Sequence, residues 1–420
     1  MENRIYLCID LKSFYASVEC VERKKDPMTT NLVVADPERE RGTICLAVSP
    51  SMKALGVSNR CRVFQIPANI QYIMAPPRMQ LYIDYSARIY EIYLKYIAKE
   101  DIHVYSIDEA FLDVTNYLGL YRMTATELGK RIMSDIKKDI GVVATCGIGT
   151  NLYLAKVALD ITAKHSKEFI GYLDEELYQK TLWNHKPLTD FWRVGPGIAR
   201  RLESVGIFNM EDVARADEKL LYRLLGIDAQ YLIDHAWGRE PVTMAEIKSY
   251  KARTNCLSSG QVLMHEYSYE DGLLIVKEMT DLLCLDLVEK NLVTDSISLY
   301  VGYAKNTIDS ANSSTTMPVT TNSVRIITQH MTELYRRIVN TTVPIKRLNI
   351  SFNNLLDEAY EQYDLFTDPR EPEKDRKVQS AVLDIKKRFG KNAIIKGMDL
   401  QKNATTMERN RQIGGHKSGI

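Results

Sequence analysis

An unbroken apolar run at residues 5–9 stops at Asp10. Three residues later, Phe14-Tyr15-Ala16-Ser17-Val18-Glu19 reads as a helix with Ser13 at its N-cap. The order is strand, acid, helix N-terminus. Residues 30–79 mix short β-type runs, 31–35 and 43–48, with turn formers and end at Pro76-Pro77, the pattern of a small inserted unit. Helical spacing predicts a helix over 81–98. Alternation predicts paired strands over 103–107 and 110–114, with Asp108-Glu109 at their junction. A helix at 124–140, a buried strand at 142–148 and a helix at 152–163 complete a βα alternation, which predicts one α/β domain built from 1–13 and 80–171.

Residues 172–242 read as short helices broken at Gly195-Pro196-Gly197, Gly206, Gly226 and Gly238, and 243–250 as a linker. From 251 to 360 the pattern is strand, helix, strand, polar loop at 309–316, helix, strand. In the last strand Leu348, Ile350 and Phe352 alternate with Arg347, Asn349 and Ser351, so one face is apolar and the other is wet or lies on a ligand. Beyond 360 the chain is polar and charged, and a flexible extension with one helix near 378–389 is expected.

A chain of 420 residues holds about three domains. With 45% hydrophobic and 26% charged residues and no apolar run near the ~18 residues of a membrane span, a soluble cytoplasmic protein without a membrane partner is expected. Seven widely spaced cysteines with no CxxC pair suit reduced core thiols rather than zinc or disulfides. Net charge is only +1, but nine Lys or Arg against two acids at 385–420 make a +7 tail on a slightly acidic body.

The candidate chemistry lies in Asp10, Asp108 and Glu109. Such acids suit a solvated turn, or they can hold Mg²⁺ ions that clamp a phosphoryl transfer. Their neighbours separate the two readings. Residues 9–19 and 105–114 closely resemble the two signature motifs of Y-family translesion DNA polymerases, and the resemblance continues through Cys146-Gly147-Ile148-Gly149 to Lys156 and through Val194-Gly195-Pro196-Gly197-Ile198 to Leu202. Length and C-terminal extension look most like the UmuC branch, the catalytic subunit type of DNA polymerase V.

The resemblance implies a multidomain α/β fold: an α+β palm (1–13 and 80–171), small fingers (14–79), a helical thumb with a helix-hairpin-helix turn (172–242), a little finger (251–360) and an extension (361–420). It implies low-fidelity synthesis past damaged bases on primed DNA with dNTP. Asp10 and Asp108 would bridge two Mg²⁺ ions, Glu109 would complete the catalytic metal site, and the Leu11 carbonyl would serve the nucleotide-bound metal. The primer hydroxyl is then the nucleophile, so the protein positions groups and neutralises charge. Phe14 and Tyr15 would hold the triphosphate, with Tyr15 as the steric gate against ribose, and Lys53 and Lys156 would bind the triphosphate. Pro50 stands where many members have a tyrosine. Asp113 is expected to be structural.

Gly195, Gly197, Ile198 and Arg200 would meet DNA phosphate, the glycines permitting a tight turn. Leu225-Gly226-Ile227-Asp228 reads as a poorer second copy. Little-finger DNA contacts would come from Lys248, Lys251 and Arg253 or from Lys346 and Arg347. Gln362, Leu365 and Phe366 resemble the peptide that docks bacterial polymerases on the sliding clamp, and the basic tail suits phosphate or a regulatory accessory protein. Two other readings stay open: a catalytically silent DNA- and clamp-binding factor on the same scaffold, and another two-metal nucleotidyl enzyme such as a cyclase.

Overall fold

The structure, a computed structural model, describes residues 4–38, 42–251, 255–304, 308–360 and 370–419. It divides into two compact units, residues 1–251 and 252–418. The expected clamp peptide, with Gln362, Leu365 and Phe366, and Arg253 lie outside the described residues.

In the first unit β1 (Tyr6–Leu11) runs into α1 (Phe14–Glu22). Short strands β2 (Leu32–Val34), β3 (Ala47–Val48) and β4 (Ile73–Ala75) with α2 (Pro50–Ala54) enclose a small core of Val33, Cys45, Val48 and Met52. There follow α3 (Met79–Leu94), β5 (Ile102–Val104), β6 (Glu109–Asp113), α4 (Thr115–Tyr121), α5 (Ala125–Ile140), β7 (Ala144–Gly149), α6 (Leu152–Val157) and β8 (Ile170–Leu173). The sheet order is β5-β6-β1-β7-β8, antiparallel except for β7 and β8, and its register sets Asp10 opposite Glu109. Helix α5 is legible at both ends: Thr124 and Glu127 form a capping box, and Gly141 ends it at φ 81°.

The helix expected at 152–163 is regular only to Val157. It widens into a π turn at Ala158–Thr162 and tightens into a 3₁₀ turn at Ala163–His165. Beneath it, Gly147 and Gly149 allow backbone-to-backbone packing. A Cβ on Gly147 would sit 2.1 Å from the Ala155 carbonyl oxygen, and one on Gly149 would sit 2.2 Å from the Ala155 nitrogen. Gly147→Ala is therefore expected to destabilise the first unit by about 2–3 kcal/mol, checked by urea denaturation.

Helices α7 (Glu175–Leu182), α8 (Pro196–Glu203), α9 (Met210–Arg215), α10 (Glu218–Leu225) and α11 (Ala229–Ala236) pack around Tyr178, Phe191, Leu202 and Leu221. The expected linker at 243–250 is instead α12 (Met244–Ser249), capped by Thr243 and Glu246, with Met244 buried against Tyr6, Cys8 and Phe111 of the first sheet. Val242, Met244 and Ile247 give it the apolar edge that a linker lacks. Lys248 thus belongs to a helix on the first unit, not to the sheet of the second.

In the second unit β9 (Cys256–Tyr267), α13 (Tyr269–Lys290), β10 (Leu292–Tyr303), β11 (Ala311–Thr321), α14 (Val324–Ile338) and β12 (Ile345–Asn353) form an antiparallel sheet in the order β11-β10-β12-β9, backed by two helices. The segment expected as a polar loop from 309 is mostly strand β11, whose Ser and Thr residues suit an edge strand with a wet face. Leu348, Ile350 and Phe352 enter the core. On the opposite face Ser258, Ser351, Ser298 and Ser314 align in one row and Gly260, Asn349, Tyr300 and Asn312 in the next, with Arg347 over the Tyr300 ring. Lys346 donates to the Met264 carbonyl at 3.0 Å.

The extension does not form a free tail. Helix α15 (Arg370–Phe389), longer than expected, is followed by α16 (Thr406–Arg409) and a two-stranded hairpin, β13 (Gln412–Ile413) and β14 (His416–Lys417). Buried Glu278 of α13 accepts from the backbone N–H groups of Thr405 and Thr406 and from the Thr405 hydroxyl. Lys387 pairs with Glu289, Lys396 with Asp281, and Arg409 donates to Ser259. Acids spread along α13 neutralise several tail cations, which a local charge count cannot anticipate.

Candidate active site

Asp10 is the penultimate residue of β1, and Leu11 beside it is bonded through its N–H to the Asp108 carbonyl at 3.0 Å. The chain around the second acid pair folds tightly: Tyr105 and Ser106 N–H groups both donate to the Glu109 carbonyl, and the Ser106 hydroxyl donates to Asp108 Oδ1 at 2.7 Å. The first sheet therefore brings Asp10, Asp108 and Glu109 together. Burial, opposed by Lys164 and reinforced by Asp108 and Glu109, raises the Asp10 pKa to about 6.

Two lysines divide the acids between them. Lys156, its side chain only 9% exposed, holds both Glu109 oxygens at 2.8 Å and also pairs with Asp160, while the Cys8 thiol donates to Glu109 at 3.2 Å. Lys164, 42% exposed, reaches Asp10 Oδ2 at 3.5 Å and Asp160 at 2.8 Å. The two ammonium groups lie among the carboxylates, and among the described residues no three acidic, His or Cys side chains converge as a ready metal cage. Lys156, expected on the triphosphate, is thus enclosed by its carboxylate partners. The π turn puts the more open lysine at 164.

A cationic cluster faces the acids. Lys12 and Lys53 have pKa values lowered first by burial and then by neighbouring lysines, Lys53 and Lys164 acting on Lys12 and Lys164 acting on Lys53. Lys164, held charged by Asp160 and Asp10, depresses both of these lysines, and ammonium groups gathered beside Asp10 suit an anion. Lys53 rides on α2, which Pro50 starts at its first position with Ser49 as cap. Lys12 and Lys164 were not among the expected site residues; the signal available for Lys12 was its position two residues after Asp10.

At the start of α1, Ser13 occupies the cap position in left-handed geometry, φ 48° and ψ 48°, and its side chain caps nothing. Phe14 is buried. Tyr15 stacks on Tyr82 with ring centroids 4.4 Å apart and planes 15° apart, and the Tyr82 hydroxyl donates to buried Glu19 at 2.9 Å. Tyr82 is a third residue that the motifs did not reveal, because it reaches Tyr15 from α3. Asp113 lies at the far end of β6, where it accepts from the Thr115 N–H and hydroxyl.

In the helical block Gly195 caps α8 and Pro196 begins it. Neither Gly195 nor Gly197 has positive φ, so the turn itself does not demand glycine. A Cβ at either position would meet nothing within 4 Å, which leaves the backbone bare on an open surface. Ile198 is half-buried, and exposed Arg200 donates to the Pro196 carbonyl at 3.2 Å. Gly226, by contrast, has φ 67°.

Residues 9–160 match the impB/mucB/samB family, and residues 257–365 match the impB/mucB/samB family C-terminal domain. DNA polymerase IV 2 of Bacillus subtilis is 30% identical over 426 residues, covering 99% of both chains. The chain belongs to the Y family of DNA polymerases. UvrX of the same organism, whose name describes a UV-damage repair protein, is 28% identical over 98% of this chain and 97% of its own. In fold, this polymerase resembles the solved Y-family DNA polymerase chimera Dbh-Dpo4(243-245)-Dbh, with a TM-score of 0.64 and 22% identity over 84% of this chain and 99% of that one. The five-stranded sheet is then the palm, the helical block the thumb, and the second sheet the little finger.

Proposed function

We propose that this Y-family polymerase adds deoxynucleotides to a primer opposite damaged template bases, with Asp10, Asp108 and Glu109 holding two Mg²⁺ ions. The observation that carries the reading is the register that sets Asp10 opposite Glu109, with Asp108 next in the chain and Lys164 reaching Asp10. The donor set fits a hard divalent cation: oxygen ligands only, on a strand end and a tight turn. When bound, the cations would supply charge neutralisation for the triphosphate and the attacking hydroxyl. The protein's own part is placement. Asp108 is oriented by Ser106, Glu109 by Lys156 and Cys8, and the triphosphate is received by the lysine cluster and the first N–H groups of α1.

Primer extension with single dNTPs and Mg²⁺, on intact template and across an abasic site, tests this. Extension on both templates is expected, and absence of extension on either, with sliding clamp present, would overturn it. The clamp contact through Gln362, Leu365 and Phe366, a regulatory accessory protein and a cytoplasmic location belong to the same proposal.

Two variants test the assignments within the site. Tyr15→Ala removes the ring stacked on Tyr82 and is expected to reduce discrimination against ribonucleotides by about 10- to 100-fold, read as the ratio of kcat/KM for dNTP and rNTP. Lys164→Ala is expected to raise KM for dNTP about tenfold, whereas Lys156→Met is expected to act mainly on kcat because it frees Glu109.

Gly195, Gly197, Ile198 and Arg200 would receive duplex phosphate. Their bare backbone on an open surface favours close approach of a partner. The little finger would meet DNA through its uncharged rows of Ser and Asn with Arg347.

A further inference from the structure

The thumb turn and the acid-bearing turn of the palm meet at Trp192 and Tyr105. The Trp192 indole N–H donates to the Tyr105 hydroxyl at 3.2 Å, and the two rings meet edge to face with centroids 6.0 Å apart. Phe111 completes the contact, 5.8 Å from Tyr105 and 6.0 Å from Trp192. Each partner sits directly beside a functional segment. Tyr105 shares the Glu109 carbonyl with Ser106, whose hydroxyl orients Asp108, so a shift of Tyr105 moves the turn that carries both acids. Trp192 lies three residues before Gly195, the cap of α8.

The connection on the thumb side is stiff. Arg193, at φ 67°, places its guanidinium 5.1 Å from the Trp192 ring and 5.0 Å from the Tyr231 ring. Behind Trp192, the His235 ring lies nearly parallel, 18° away in plane, and His235 bonds Glu240 at 3.0 Å. A left-handed backbone at a non-glycine residue persists only where its surroundings hold it. Here two aromatic rings do so. Whatever fixes the Gly195 turn therefore fixes Trp192, and through it Tyr105.

We propose that Trp192 and Tyr105 are positioning residues for the two-metal site, making the geometry of Asp108 and Glu109 depend on duplex engagement at the thumb turn. This rests on the polymerase reading above for the identity of the ligands at both ends. The coupling is carried by the indole–hydroxyl bond and the ring contact, so its strength is open to conservative substitution at either end.

The test uses the full chain as wild type, Tyr105→Phe, Trp192→Phe and the double variant, all of which keep aromatic rings. Two quantities are read at saturating DNA, on a long duplex and on one too short to reach the thumb turn: the single-turnover insertion rate, and the affinity for Mn²⁺ measured by electron paramagnetic resonance. The wild type is expected to gain about five- to tenfold in both from the long duplex. Either single variant should bring that gain to near one, and the double variant should be no worse than the singles. Variants that keep the wild-type gain, or single effects that multiply in the double variant, overturn the proposal. Should the wild type insert no nucleotide on any template, the polymerase reading fails, and the Mn²⁺ comparison still decides whether duplex and acids are coupled.

Discussion

Asp108→Asn is expected to lower single-turnover nucleotide insertion by on the order of 10³-fold or more while primed-DNA affinity stays within about twofold of wild type. The substitution keeps shape and removes charge. The amide oxygen that replaces Asp108 Oδ1 can still accept from Ser106, and the backbone bond from the Leu11 N–H to the carbonyl at this position is untouched, so the turn should hold. What is lost is one of three anionic oxygen donors at a site where charge neutralisation is the main catalytic resource. Quench-flow insertion kinetics and fluorescence anisotropy separate the two quantities. Insertion above a tenth of the wild-type rate would remove Asp108 from the proposed metal site, and a parallel loss of DNA affinity would point instead to a collapsed turn.

The acids could be singled out because the residues around them, 9–19 and 105–114, carry long motifs; the apolar runs alone placed them near strand ends, and the register of β1 with β6 came only with the structure. The lysines were harder. Lys156 lies on the helix expected at 152–163 and Lys164 one residue past its end, so the motif pointed to the earlier lysine alone. The π turn at 158–162 and the carboxylate already occupying Lys156 decide between them, and both depend on tertiary packing. Tyr82 was illegible for the same reason, since α3 reaches the Tyr15 ring only after the chain has folded.

At the C-terminal end local reading erred in a consistent direction. Polar, charged segments read as linker, loop and tail at 243–250, 309–316 and 370–418, yet each folds against a neighbouring element of its own unit. Thr405 and Thr406 look like tail residues until buried Glu278 supplies an acceptor 127 positions earlier. Length proved a weak guide to branch: DNA polymerase IV 2 matches over 99% of both chains, so the extension is not peculiar to the DNA polymerase V type.

Glu19→Ala is expected to destabilise the first unit by about 3–5 kcal/mol, lowering its thermal midpoint by about 10 °C. The Glu19 side chain is fully buried on α1, four residues after Tyr15, and receives Arg78 Nε and an Arg78 terminal nitrogen at 2.9 Å each, the Tyr82 hydroxyl at 2.9 Å, and Arg23. Burial pushes its pKa up, but the Arg78, Arg23 and Tyr82 bonds outweigh burial and leave it below the ordinary 4.5. Removing the carboxylate takes a shared partner from two guanidinium groups and frees the Tyr82 ring that stacks on Tyr15, the proposed steric gate. Loss of ribonucleotide discrimination should therefore accompany the loss of stability, although Glu19 reaches Tyr15 only through Tyr82. The sign with pH follows: a carboxylate with a depressed folded pKa stabilises fully above its unfolded value, and the contribution disappears as pH falls from about 4.5 through the folded pKa. Differential scanning calorimetry at pH 7 and pH 4 should show the wild type losing more of its midpoint on acidification than Glu19→Gln. Equal losses would mean that the cluster contributes nothing net to folding, and that Tyr82 is held by packing alone.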